Sequence, residues 1–266
     1  DYFFDLIGIG QEDVGNIHVS ATSESYMTIS NPDALSDGEY LMLANDGGND
    51  VVWTTAGAPA NGSTRRLARQ WRVDKTGDLG NITFQIDTAA LTAPPVSGLT
   101  WALIVDGDGD FTSIDNTYPL TSVSGDIVGI NGLNLPDGSY FTIALVEYQS
   151  TGASSDFSDP AAWTTGVVPS TGTDVKIADG HSLFLSEDIV IGSLILEGTG
   201  SLDLAGFTLE FSGDCISLNG SGAVNVSTAG STIGYANPNV VEQCVTGMVY
   251  NNLYTDGPSG STKYLL

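Results

Sequence analysis

Residues 157–266 carry alternating apolar pairs that return at nearly fixed intervals: Val175/Ile177, Leu183/Leu185, Leu194/Leu196, Leu202/Leu204, Leu209/Phe211, Ile216/Leu218 and Val224/Val226. Val175 to Leu194 is 19 residues and Leu194 to Ile216 is 22, and Leu183, Leu202 and Val224 repeat the same two steps. An apolar–polar–apolar triplet is a short strand with two residues on one face. Two interleaved series sharing a step of about twenty residues predict a solenoid, whose coils bury that face only against their neighbours. Gly, Asn, Asp and Ser fill the turns and no leucine-rich-repeat consensus is present, so the expectation is the first coils of a right-handed parallel β-helix. Asn251–Tyr254 and Lys263–Leu266 read as a further coil under way. A short stack leaves its last layer uncovered, so the chain is expected either to be part of something longer or to be covered by another subunit.

Residues 1–148 obey a different rule. Strand candidates are Tyr40–Ala44, Arg66–Lys75, Asn81–Asp87, Thr100–Asp106, Asp126–Leu135 and Ser139–Tyr148, rich in β-branched and aromatic residues and bounded by Gly, Asp, Asn or Pro. Pro136-Asp137-Gly138 between the last two reads as a hairpin turn. No stretch has a capped 3.6-residue apolar period, so the prediction is all-β, with an N-terminal antiparallel β-sandwich. Residues 149–156, small and polar, read as a linker to a second domain at 157–266.

Charge narrows the partners. The 266 residues hold 7 Lys+Arg against 32 Asp+Glu, a formal charge of -25, which excludes a phosphate-neutralising groove and disfavours nucleic acid and anionic membranes. No apolar run approaches the ~20 residues of a membrane-spanning helix. Asp supplies 24 of the acids. They serve solubility in saline water, or, where turns present them together, calcium binding.

Four strings agree in order with one family. They are Leu6-Ile7-Gly8-Ile9-Gly10-Gln11-Glu12-Asp13, then Leu41-Met42-Leu43-Ala44-Asn45-Asp46-Gly47-Gly48, then Arg65-Arg66-Leu67-Ala68-Arg69-Gln70-Trp71-Arg72-Val73, and Val105-Asp106-Gly107-Asp108-Gly109-Asp110-Phe111. Together they resemble a module of very large Bacteroidota-type cell-surface, adhesin-like proteins, often placed after a lectin-like jelly roll. Trp163–Pro169 with Gly172–Ile177 resembles the entry to β-helical regions of similar proteins. The resemblance implies export by a type IX route and display outside the cell as an adhesin or extracellular fibre, as in gliding motility, with self-association or other fibre subunits as partners.

Candidate sites follow from residue chemistry. Asp106, Asp108 and Asp110 stand at alternate positions with glycines between, the first half of a calcium-loop pattern; the twelfth position is Thr117, so Asp115 or a distant acid would complete the shell. The alternative is a solvated acidic loop. Asn45–Asp50 reads as a glycine-rich turn or a second cation loop. All four arginines lie between 65 and 72. Arg69 shares a strand face with Trp71 and Val73 and is therefore expected to pair with an acid, whereas Arg65, Arg66 and Arg72 form either an anion- or glycan-binding patch or internal neutralisation. Trp53 is the best surface candidate for stacking on a sugar. Cys215 and Cys244 are expected to form a disulfide. Catalysis is hard to build: the only histidines are His18 and His181, neither in a nucleophile motif, and residues 157–266 offer few cations for a lyase. The expected function is a non-enzymatic structural or adhesive module of a secreted protein. The alternative is a carbohydrate-active protein, either a glycan lyase or hydrolase or a calcium-dependent glycan-binding module.

Overall fold

The structure is a computed structural model that describes residues 2–23, 26–57, 65–92, 99–169, 171–213, 216–236, 242–245, 252–256 and 262–265. The chain is all-β. It divides into two compact units, residues 1–97 with 101–146, and residues 98–100 with 147–266.

The first unit is an antiparallel sandwich. Its nine-stranded sheet runs Asn116–Pro119, Thr100–Asp106, Tyr140–Val146, Trp71–Thr76, Glu39–Asn45, Phe4–Asp13, Asn16–His18, with Arg65–Leu67 attached to Tyr140–Val146 and Trp53–Thr54 attached to Arg65–Leu67. The five-stranded sheet runs Thr121–Ser124, Ile127–Leu133, Ile82–Asp87, Met27–Ser30, Ser20–Ser23. Alternation decides which face is inside: Ile82, Phe84 and Ile86 from one sheet meet Leu41, Leu43, Trp71, Val73, Phe141 and Ile143 from the other in one core. Phe141 links the layers, stacked on Trp71 at 5.4 Å and edge-on to Phe84 at 6.0 Å.

Two details depart from the sequence reading. Pro136-Asp137-Gly138 does not close a hairpin, because Ile127–Leu133 pairs with Ile82–Asp87 in the smaller sheet whereas Tyr140–Val146 lies beside Trp71–Thr76 in the larger. Leu133 and Leu135 face Phe141 and Ile143 across the core rather than beside them. The turn hands the chain between layers, held by Gly138 N–H to Val73 O at 3.0 Å and Lys75 N–H to Asp137 Oδ1 at 2.9 Å. Arg66–Lys75 is also not one strand: Arg65–Leu67 and Trp71–Thr76 both pair with Tyr140–Val146, and residues 68–70 leave the ladder between them. There Ala68 N–H turns to Val52 O at 2.8 Å and the Thr142 hydroxyl donates to Arg69 O at 2.7 Å.

The second unit is built from parallel pairs. Tyr148–Gln149, Val175–Ile177, Leu194–Gly198 and Ile216–Gly220 form one sheet, and Ser182–Phe184, Ser201–Asp203 and Ala223–Asn225 a second. Ile189–Ile191, Thr208–Phe211, Thr232–Ala236 and Asn252–Asp256 form a third. Val175 pairs with Leu194 and Leu194 with Ile216, while Leu183 pairs with Leu202 and Leu202 with Val224, so the 19- and 22-residue steps are the pairing register itself. The third series, in which Ile189 and Ile233 flank Leu209, was not among the repeats read from the sequence apart from Leu209/Phe211. Glu242–Val245 pairs in parallel with Thr262–Leu265.

Residues 149–156 are not a free linker. Gln149 pairs with Lys176, Ser150 N–H donates to Lys176 O at 2.9 Å, and Asp156 bridges to Phe184. Small polar residues suit this path because it runs as a turn of the second unit, its amides taken by neighbouring backbone and hydroxyls.

Equal positions stack in register, and side chains show it. Lys176 Nζ sits 3.0 Å from Glu147 and 3.9 Å from Glu197, Asn219 donates to Glu197 at 3.1 Å, and Asn225 donates to Asp203 at 2.9 Å. Turn glycines stack likewise: a Cβ on Gly222 would lie 2.6 Å from Gly200 O, and one on Gly213 would lie 2.8 Å from Gly192 O. Inside, Leu194, Leu196, Leu202, Leu204 and Leu209 are buried, each such side chain contributing roughly 1.5–3 kcal/mol. Leu218 was expected inward with Ile216 but is 46% exposed, on the strand that ends its sheet among the described residues.

Candidate functional site

The strand Thr100–Asp106 delivers Asp106 to the rim of the sandwich and the chain turns at once through Gly107–Phe111. Asp106 is only 3% exposed. Its Oδ2 accepts the amides of Gly109 and Phe111, both at 2.9 Å, and so shapes the loop from within. Asp108 accepts the Asp110 amide at 3.0 Å, and Asp110 accepts both the amide and the hydroxyl of Thr112 at 2.7 Å. These last two bonds, the amide first, hold the exposed Asp110 carboxyl below its usual range. Gly109 and Phe111 have φ of +79° and +56°, values that a glycine adopts freely and a phenylalanine only when its surroundings hold it there.

Carboxylate oxygens of Asp106, Asp108 and Asp110 lie within 4.8 Å of one another, one set by a buried residue and two on the surface. Hard oxygens so grouped suit a divalent cation of the calcium type. Asp115 falls outside this group, although its carboxylate comes within 3.0 Å of where a Gly107 Cβ would be. Thr117 is buried in the neighbouring strand.

The loop is braced by an arginine. Arg66 is 7% exposed and its guanidinium sits 4.8 Å above the Phe111 ring. It donates to Ala56 O at 2.8 Å and to Leu67 O at 3.0 Å, tying the Ala56-Gly57 turn to the loop. Burial lowers its pKa, with Asp46 opposing. Arg66 is thus spent internally, which dissolves the proposed patch of Arg65, Arg66 and Arg72. Arg65 is half-buried beside it, and Arg72 is exposed on the other strand, next to Asp74.

Arg69 is 11% exposed in its side chain and lies 3.5 Å from Asp50 and 3.9 Å from Asp5. It also donates to Gly48 O at 2.8 Å. The cation held by the Asn45–Asp50 turn is therefore this guanidinium, which accounts for the acidic and glycine content of that turn. Trp53 is not a surface platform: it is half-buried, its indole N–H donates to Thr92 O at 2.7 Å, and its ring packs edge-on to Trp101 at 5.8 Å. Cys215 lies outside the described residues, as does the side chain of Cys244, and with them the expected disulfide.

In the second unit His181 Nδ1 is 2.8 Å from Ser150 Oγ. Ser150 is 1% exposed and its hydroxyl already accepts the Ala178 amide at 2.9 Å, so the pair is a buttress between turns and cannot present a nucleophile to a substrate. What the sequence reading missed is a trough on the outer face of the larger sheet, around Gly8, Gly10, Tyr40 and Met42. Its signal was two glycines at alternate strand positions, where neither a turn nor a bulge calls for them.

Fold and loop together define an all-β protein, an antiparallel sandwich with an acidic rim loop followed by a unit of small parallel sheets. Residues 1–139 match the family described as Domain of unknown function (DUF8202), and the chain belongs to that family. No curated protein and no solved structure matches the chain.

Proposed function

We propose that this chain is a non-enzymatic structural and adhesive module of a secreted bacterial surface protein or extracellular filament, acting by assembly or surface attachment. In this reading the second unit winds as a right-handed parallel β-helix. Three parallel sheets that recur in the same order with steps of about twenty residues support it, as does the strong preference of parallel crossovers for the right hand. The observation that carries the assembly reading is Leu218, which is expected in the apolar stripe yet is 46% exposed on the terminal strand of its sheet among the described residues. Edge strands with unpaired backbone groups and an apolar face are templates for lengthwise association. An acidic, well-solvated surface suits life outside the cell, with fibre subunits or glycans as partners.

Within the same reading Ca2+ is the cation suited to Asp106, Asp108 and Asp110, supported by the 4.8 Å grouping of their oxygens. Sedimentation across a concentration series with negative-stain imaging tests the proposal. Lengthwise oligomers that disappear with Leu218→Lys are the expected result. A monomer at every concentration overturns assembly, and release of reducing ends or unsaturated sugars from a polysaccharide panel overturns the non-enzymatic reading.

A further inference from the structure

Gly8 and Gly10 sit in regular extended backbone, paired with Met42 and Tyr40 of the neighbouring strand. Their φ angles do not require glycine. What requires it is space: a Cβ on Gly8 would strike Met42 Sδ, and one on Gly10 would strike the Tyr40 ring, since both side chains lean across the strand. The sheet thus gives up two outward side chains and gains a depression of about 230 Å3, open to solvent. Its floor is the glycine backbone with Tyr40 and Met42, and its rim is Glu12, Asn16 and His18. Asn16 donates to Glu12 at 2.7 Å, which fixes these two rim groups against each other.

A second depression of about 100 Å3 shares Met42 and continues past Leu6 and Ala44 to Tyr2, Arg72 and Asp74. From Gly10 to Leu6 the trough spans roughly 13 Å at the rise of a strand. An apolar floor with an aromatic ring, edged by carboxylates, an amide, an imidazole and a guanidinium, has one natural class of occupant. Sugars offer C–H faces to such a floor and hydroxyls that both donate and accept to such a rim. Glu12 and Asp74, on a chain of net charge -25, work against phosphates and uronates. The polar groups along the rim work against a lipid or an apolar helix, either of which would leave them desolvated and unpaired.

We propose that this trough binds a neutral oligosaccharide, with Tyr40 and Met42 as floor and Glu12 and Asn16 as hydroxyl-recognising groups. The inference rests on the adhesive reading above and names what adhesion recognises. Titration calorimetry of the whole chain with cellohexaose, xylohexaose, mannohexaose, laminarihexaose and chitohexaose, and with hexagalacturonate as the acidic control, tests it. At least one neutral hexasaccharide should bind, and Tyr40→Ala and Glu12→Ala should each weaken it about tenfold or more, a loss of ~1.4 kcal/mol. Glu12 is exposed, so its variant keeps the fold if Tyr40→Ala does not. Asp203→Ala in the second unit should leave affinity unchanged. The proposal is overturned if the folded chain binds none of the neutral sugars at millimolar concentration, if hexagalacturonate binds best, or if Glu12→Ala leaves affinity intact. Filament formation is read by imaging and stands or falls separately.

Discussion

Replacing Asp106 by Ala isolates the role of the acidic loop's one buried carboxylate. Asp106 is 3% exposed and satisfies the Gly109 and Phe111 amides at 2.9 Å each, the second of them buried. Each donor left without a partner costs about 1–3 kcal/mol. Removing a negative charge beside Asp108 and Asp110 returns about 1 kcal/mol per neighbour at most, because both are exposed and water screens them. The net expectation is a loss of about 3 kcal/mol, equivalent to a fall of roughly 6–12 °C in Tm. Calorimetry and urea unfolding of Asp106→Ala and Asp106→Asn measure it, and the amide variant, which keeps one acceptor, should lose less. If Asp106→Ala stays within about 0.5 kcal/mol of the parent, Asp106 does not organise the loop. Repeating both melts with calcium and with EDTA separates the two roles of the cluster: a cation bound there raises the parent's Tm and leaves that of Asp106→Ala unmoved.

Two further outcomes follow from the geometry. Gly10→Ala should cost about 1–3 kcal/mol and Gly8→Ala under about 1 kcal/mol in urea unfolding. The Cβ at position 10 meets a ring and lies 2.7 Å from Glu39 O, whereas at position 8 it meets the movable end of Met42 and lies 3.1 Å from Leu41 O, so the reverse order would refute the packing account. Asp179 accepts the Thr199 amide at 2.8 Å and its hydroxyl at 3.0 Å, which hold its pKa below the ordinary 3.8. These bonds therefore support the fold fully above pH 3.8 and are lost as pH falls below it. Carboxyl NMR should place the Asp179 midpoint below 3.8, and a midpoint above that value would sink the assignment.

The parallel register of the second unit was legible because a strand with two inward residues is a local pattern, and stacking requires that the pattern recur. Leu194 and Leu202 announce their pairing partners by spacing alone. The third sheet was harder to see because Ile189-Val190-Ile191 is continuously apolar and shows no alternation. Arg69 was legible as a paired cation from its spacing to Trp71 and Val73, although residues 68–70 leave the ladder, and its partner Asp50 sits in the conspicuously acidic turn. Arg66 was not, since its place is set by Ala56 O and by Phe111, the latter 45 residues further along the chain.

By itself, then, the order of residues determined that this chain is β throughout, that its back portion pairs in parallel at steps of 19 and 22, and that its carboxylates gather at Asp106–Asp110. All of these are short-range patterns of side-chain alternation and turn chemistry. Tertiary structure alone decided which sheet each strand on either side of Pro136 would join, that Arg66 would be consumed inside and Trp53 half-buried against Trp101, and that two glycines would open a trough floored by Tyr40 and Met42. Those outcomes depend on which side chains compete for the same volume across the core and between neighbouring strands, and that competition exists only once the chain has brought distant residues together.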